Sequence, residues 1–183
     1  MNIILAGGTG FIGKELVRTL NQSGHRIILL TRKSSATTEN PLMTYVQWDG
    51  KNLGSWAKFF DGADAVINLC GEPIAGKRWS EAQKKLILTS RLDTTHAIFE
   101  AISKSSRKPG VLINASATGY YGNRPEERLT ESAPPGKGFL AQTCITWELE
   151  AKRVESCGVR VVMLRTGMVL EKDGGALSEL LQP

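Results

Sequence analysis

Apolar and polar positions along this chain fall in blocks. Residues 2–6 (NIILA) are an almost unbroken apolar run, and the pattern returns at 26–31 (RIILLT), 64–71 (DAVINLCG), 110–117 (GVLINASA) and 159–170 (VRVVMLRTGMVL). Runs of this kind suit strands covered on both faces, because a strand with one wet face would alternate. A shorter strand is predicted at 44–48 (TYVQW). Between the strands lie helical segments. Residues 11–23 form one, stopped by Gly24, and a short one is predicted at 56–60. Ser80 caps a long helix to Lys104, with Glu81 and Gln83 in its first turn. Another runs over 139–157 and stops at Gly158. Residues 33–43 are a polar loop and 119–138 a loop rich in Gly and Pro. Strands alternating with helices imply a parallel sheet.

The first strand and helix are joined by AGGTGFIG, which sets Gly7, Gly10 and Gly13 three residues apart. Gly7 permits a tight turn, Gly10 leaves room for a pyrophosphate, and Gly13 lets the helix pack against the strand. The helix start supplies free N–H groups and the positive end of its dipole, so the segment 7–13, with Thr9, Phe11 and Ile12, reads as a dinucleotide-binding loop. The fold expected is therefore α/β, a Rossmann-type doubly wound parallel sheet with helices on both faces. The second strand ends in Thr31, Arg32 and Lys33, with no acidic residue from 26 to 38. NAD-binding domains usually place Asp or Glu there to hold the ribose 2′-OH, whereas a guanidinium suits a 2′-phosphate. The cofactor expected is NADP(H).

Composition narrows the picture. The 183 residues allow one domain, 1–183, with a sizeable core. Net charge is +5, but no basic run exceeds two residues, which argues against a nucleic-acid partner. Cys70, Cys144 and Cys157 are scattered, so neither a metal site nor a disulfide framework is expected. No stretch reaches the length of a membrane span and no leader-like segment opens the chain, so the expected location is cytoplasmic. Gly174 and Gly175 open a further helix over 176–182, and we expect an N-terminal part of a longer architecture whose C-terminal substrate region is truncated.

The motifs AGGTGFIG, GADAVINLCGEPIAGKRW, SRLDTT, INASATGYYGN, FLAQTCITWE and GVRVVMLRTGMVLEKDGGAL together resemble one family. It is the atypical branch of the short-chain dehydrogenases/reductases known as the epimerase family, similar to nucleoside-diphosphate-sugar epimerases. The resemblance implies an NADP(H)-binding Rossmann domain acting on a small-molecule substrate such as a nucleotide sugar, and it allows a homodimer. It places Thr31 and Arg32 at the 2′-phosphate and Leu69, Cys70 and Gly71 beneath the cofactor. It places Asp49 at adenine, Arg91 on a cofactor-facing helix, and the loop 166–169, with Val169, near the nicotinamide. As bare residues, Asp49 equally suits a surface turn and Arg91 a solvated helix charge.

The chemistry departs from the resemblance. Short-chain dehydrogenases use a Tyr-x-x-x-Lys pair and a serine, the lysine acidifying the phenol that exchanges a proton. Here Tyr45, Tyr120 and Tyr121 are followed four residues on by Asp49, Arg124 and Pro125, and the helix FLAQTCITWELEAK has no tyrosine. Ser116 matches the serine, though it also suits a strand-end serine bonded to backbone. Tyr121 or Tyr120 can replace the phenol, with Arg124 as its cation. Glu72 is a further carboxylate at the pocket mouth. His25 and His96 are expected in surface or packing roles, and Trp79, Trp147 and Cys70 are expected to pack. Three readings remain: an NADP(H)-dependent epimerase or oxidoreductase, an NADP(H)-binding regulator without turnover, and a partner-binding domain with a vestigial site. The missing pair predicts cofactor binding with little turnover.

Overall fold

The computed structural model describes residues 1–33 and 38–171. Six parallel strands are ordered β3-β2-β1-β4-β5-β6: β1 (Asn2–Ala6), β2 (Arg26–Thr31), β3 (Met43–Gln47), β4 (Ala65–Asn68), β5 (Val111–Ala117) and β6 (Arg160–Thr166). Helices α1 (Phe11–Gln22), α2 (Glu81–Lys104) and α3 (Phe139–Lys152) connect them. This is the Rossmann-type sheet expected from the apolar blocks. The chain reverses direction across the sheet between β1, which pairs with β2, and β4, and ligands of open α/β sheets bind beyond the strand ends at that crevice.

Both faces are covered. On one, Ile3, Leu5, Ile27 and Leu29 pack against Leu16, Val17 and Leu20 of α1. On the other, Ile4, Val66 and Leu112 pack against Ile98 and Ile102 of α2 and Ala151 of α3. Burying each such Ile or Leu contributes about 1.5–3 kcal/mol.

Several expected boundaries shift. The apolar run at 64–71 leaves the sheet after Asn68, because Asn68 Oδ1 accepts the Cys70 N–H at 3.1 Å and turns the chain out. The helix expected over 139–157 ends at Lys152 and tightens into a 3₁₀ turn, Arg153–Cys157, before Gly158 takes a left-handed φ of 75°. The segment at 56–60 is also 3₁₀, Ser55–Phe60. Ser80 caps α2 as expected, its side chain accepting the Gln83 N–H. The helix expected over 176–182 lies outside the described residues.

Candidate functional site

At the β1–α1 turn, Gly7 has φ 84°, and a Cβ there would lie 2.8 Å from the Leu69 carbonyl carbon. A Cβ on Gly13 would lie 2.3 Å from the Gly7 oxygen, so close packing of helix on loop needs glycine there. At Gly10 a Cβ would meet only the Gly7 oxygen, at 3.3 Å. Gly10 N–H bonds Gly7 O and Lys14 N–H bonds Gly10 O. The N–H groups of Phe11, Ile12 and Gly13 between them have no acceptor among the described residues, and α1 has no side-chain cap and no acid in its first turn. Thr9, Phe11 and Ile12 are exposed around this start. A bare helix start beside an open glycine is a cradle that fits a pyrophosphate.

Beyond β2 and β3 lies a cleft of about 480 Å³ lined by Arg32, Gln47, Trp48 and Asp49. Arg32 is exposed and makes no ion pair among the described residues. Thr31 is buried and its Oγ1 accepts the Lys33 N–H at 3.2 Å, which fixes the turn from which Arg32 projects. Asp49 is turned to its own loop, where its carboxylate accepts the N–H groups of Lys51 and Asn52 and the Asn52 amide. The Asn52 amide and these backbone bonds hold its pKa below the ordinary aspartate value. Asp49 thus shapes the cleft wall.

Leu69, Cys70 and Gly71 leave β4 against the glycine loop at Gly7, and the Leu69 N–H bonds Ala6 O at the end of β1. Burial pushes the Cys70 thiol up to about 12, with Arg32 opposing weakly, so Cys70 packs and is not a nucleophile. Arg91 is half-buried rather than a solvated helix charge. Its Nη1 donates to Glu72 O at 3.0 Å and Ile87 O at 2.8 Å, and its guanidinium lies 5.1 Å from the Trp147 ring centre. A Cβ on Gly71 would sit 2.9 Å from the Arg91 Cζ, so glycine lets the chain cross over that guanidinium. Glu72 is engaged: Lys77 Nζ donates to it at 2.8 Å and Gln83 at 3.4 Å, and the two hold its pKa down.

At the end of β5 the structure assembles groups that no local pattern connects. Ser116 is buried, and its Oγ donates to Glu148 Oε1 of α3 at 2.6 Å. Arg165 of β6 grips the same carboxylate, Nε to Oε1 and Nη2 to Oε2, both at 2.8 Å. Burial works to raise the Glu148 pKa, but the bonds from Arg165 and Ser116 outweigh it, so the carboxyl is held below its ordinary range. Arg165 Nη1 donates to the Tyr121 hydroxyl at 2.9 Å and to Glu131 O at 3.0 Å. The cation expected beside the tyrosines, Arg124, is elsewhere: it pairs with Glu127 and donates to Pro134 O. Arg165 takes that place because β6 runs beside β5 and carries it to the loop after β5. Val169 lies past the end of β6, half-buried.

Beneath these groups sits a buried polar set. Asn68 Nδ2 donates to Thr95 Oγ1 and Asn114 Oδ1, at 3.1 and 2.8 Å, and Trp147 Nε1 donates to Thr95 Oγ1 at 2.9 Å. Trp147 packs as expected, but Trp79 does not: it is 40% exposed, edge-on to Phe139, with its Nε1 bonded to Ile74 O. His96 pairs with Glu150 across α2 and α3. Among the described residues no three His, Cys, Asp or Glu side chains cluster as metal ligands, and no helix is long and apolar enough to cross a membrane.

A parallel sheet ordered 3-2-1-4-5-6, with a bare glycine-loop helix start at its crossover, is the architecture of the Rossmann-type dinucleotide-binding class. Residues 3–170 match the model of the NAD dependent epimerase/dehydratase family, and the chain belongs to that family. It is 40% identical over 184 residues to the epimerase family protein YfhF of Bacillus subtilis, covering 100% of this chain and 59% of the relative. It is 39% identical to the Arabidopsis thaliana protein named epimerase family protein SDR39U1 homolog, chloroplastic, of which it spans 52%. The chain thus covers less than two thirds of these curated relatives. Among solved structures, human epimerase family protein SDR39U1 with NADPH superposes with TM-score 0.81 at 31% identity, over 99% of this chain and 58% of that one. The UDP-glucuronic acid 4-epimerase of Bacillus cereus, solved with UDP-glucuronic acid and NAD, shares the fold at TM-score 0.75 and 20% identity, over 90% of this chain and 56% of that one.

Proposed function

We propose that this chain binds NADP(H) along the crevice between β1 and β4, and that the protein it belongs to carries out epimerase- or oxidoreductase-type chemistry on a small polar substrate, such as a nucleotide sugar. One observation carries the reading: a helix start with three uncapped N–H groups shares a sheet edge with an exposed arginine that makes no ion pair among the described residues. The N–H groups of Phe11, Ile12 and Gly13 would hold the pyrophosphate, and Arg32 the 2′-phosphate. Arg91 would steady Gly71 and Glu72 beneath the cofactor. The solved relative carrying NADPH supports this choice of cofactor. Bound NADP(H) supplies or accepts a hydride. This chain's residues would bind it, orient it, and exchange the matching proton.

A second reading is a catalytically silent NADP(H)-binding protein. It is favoured by α3, which has no tyrosine, and by Ser116, whose proton is committed to Glu148. Titration calorimetry with NADPH tests the shared premise: the reading expects saturable binding at one site per chain, and no binding would defeat it. Turnover of aldehydes, ketones or nucleotide sugars with NADPH then separates enzyme from silent binder.

A further inference from the structure

The hydroxyls that can serve the missing phenol's role are unequal. Ser116 donates its proton to Glu148. Tyr121 is 8% exposed and held inward by Arg165. Tyr120 is half-buried, and its hydroxyl has no hydrogen-bond partner among the described residues. The Arg165 guanidinium lies over its ring, with Cζ 3.5 Å from the ring centre. That guanidinium is held by both Glu148 oxygens, by the Tyr121 hydroxyl and by Glu131 O, so it cannot leave the ring without breaking those bonds.

We infer that Tyr120 Oη is the proton-exchanging group of this site and that Arg165 is its positioning residue, the two replacing from loop and strand the pair that α3 lacks. The inference rests on the proposed NADP(H) site. Reduction of a carbonyl takes two electrons, as the hydride of the bound cofactor, and one proton. The Tyr120 O–H bond breaks, the proton forms the new O–H bond on the carbonyl oxygen, and the phenolate left behind recovers a proton from solvent water. A cation held over the ring fixes the ring's position. Glu148 offsets part of the cation's charge but fixes its plane. Tyr121 holds Arg165 in place and takes no proton. Of the two tyrosines that the sequence offers for the phenol, this assigns the acid–base role to Tyr120.

The first test separates the tyrosines by thermal unfolding without cofactor. Tyr121→Phe leaves an Arg165 N–H without its partner and should lower Tm by about 4 °C or more, whereas Tyr120→Phe keeps the ring on the guanidinium and should move it by less than about 1 °C. Equal losses would overturn the inference. The second is a crystal structure of the full-length protein with NADP⁺. Tyr120 Oη is expected within about 5 Å of nicotinamide C4, on the side where a carbonyl would lie. In Arg165→Lys the NADPH affinity should hold within about twofold while that distance lengthens, which loss of stability alone would not produce. Tyr120 Oη turned away and bonded to protein would overturn the inference, as would unaltered turnover in Tyr120→Phe on any substrate the parent reduces. Failure of the parent to bind NADPH would instead defeat the proposed function, and the melts are read independently of it.

Discussion

Arg165 on β6 and Glu148 on α3 form a bidentate pair, two parallel N–H···O bonds of 2.8 Å, with the Glu148 side chain only 5% exposed. The pair joins β6 to α3 and brings Ser116 and both tyrosines to one point. Removing one partner of a buried pair leaves an uncompensated charge, and such losses run to about 3–5 kcal/mol. Glu148→Gln should therefore unfold at clearly lower urea than the parent at pH 7. The sign of its pH dependence follows from a carboxyl held below its ordinary value: its stabilisation is present above the unfolded-state pKa and is lost as pH falls through the folded-state one. The gap between parent and variant should shrink as urea melts are moved below the carboxylate range. A gap constant with pH would show that the carboxylate charge is not what stabilises.

Thr95 Oγ1 is the shared node of the buried polar set, accepting from Asn68 and Trp147 and donating to Arg91 O. Thr95→Val keeps the shape and orphans both donors. The expected loss is about 2–4 kcal/mol, read by denaturant unfolding. A loss below about 0.5 kcal/mol would mean that water or a shifted rotamer replaces the hydroxyl.

Gly10 and Gly13 should answer differently to a side chain. In Gly10→Val the new Cβ meets one atom, the Gly7 oxygen at 3.3 Å, a contact relieved by a small shift, so the melting curve should change little while NADPH affinity falls at least ~10-fold. Gly13→Ala collides with the Gly7 oxygen and should destabilise the fold itself. Parental affinity in Gly10→Val would reduce the loop to a plain turn.

The inner strands β1, β2 and β4 were legible because they are buried on both faces and read as solid apolar runs, and the glycine loop because its spacing is dictated by contact between backbones. The Ser116–Glu148–Arg165–Tyr120 assembly was not, since its members come from β5, α3, β6 and the turn after β5, and no local period links them. A signal was present all the same. Arg165 stands in the apolar run VRVVMLRTG, Glu148 beside Trp147 and Leu149, and Asn68 and Asn114 inside strands. A charge or amide in such a run must find a partner once buried. Arg124 stands near the tyrosines in sequence, whereas Arg165 reaches them only through the pairing of β6 with β5. Trp79 was assigned to the core by helical position, yet it lies before the first turn of α2, where the chain is open to solvent.

The NADP(H) site is tested by calorimetric titration of NADPH and NADH into the parent and into Arg32→Ala. A guanidinium–phosphate contact contributes roughly 1.5–3 kcal/mol, so the parent should bind NADPH at least ~10-fold more tightly than NADH, and the substitution should remove most of that difference while NADH affinity stays near its parental value. Equal affinities for the two cofactors in the parent, or a preference that survives Arg32→Ala, would contradict the account.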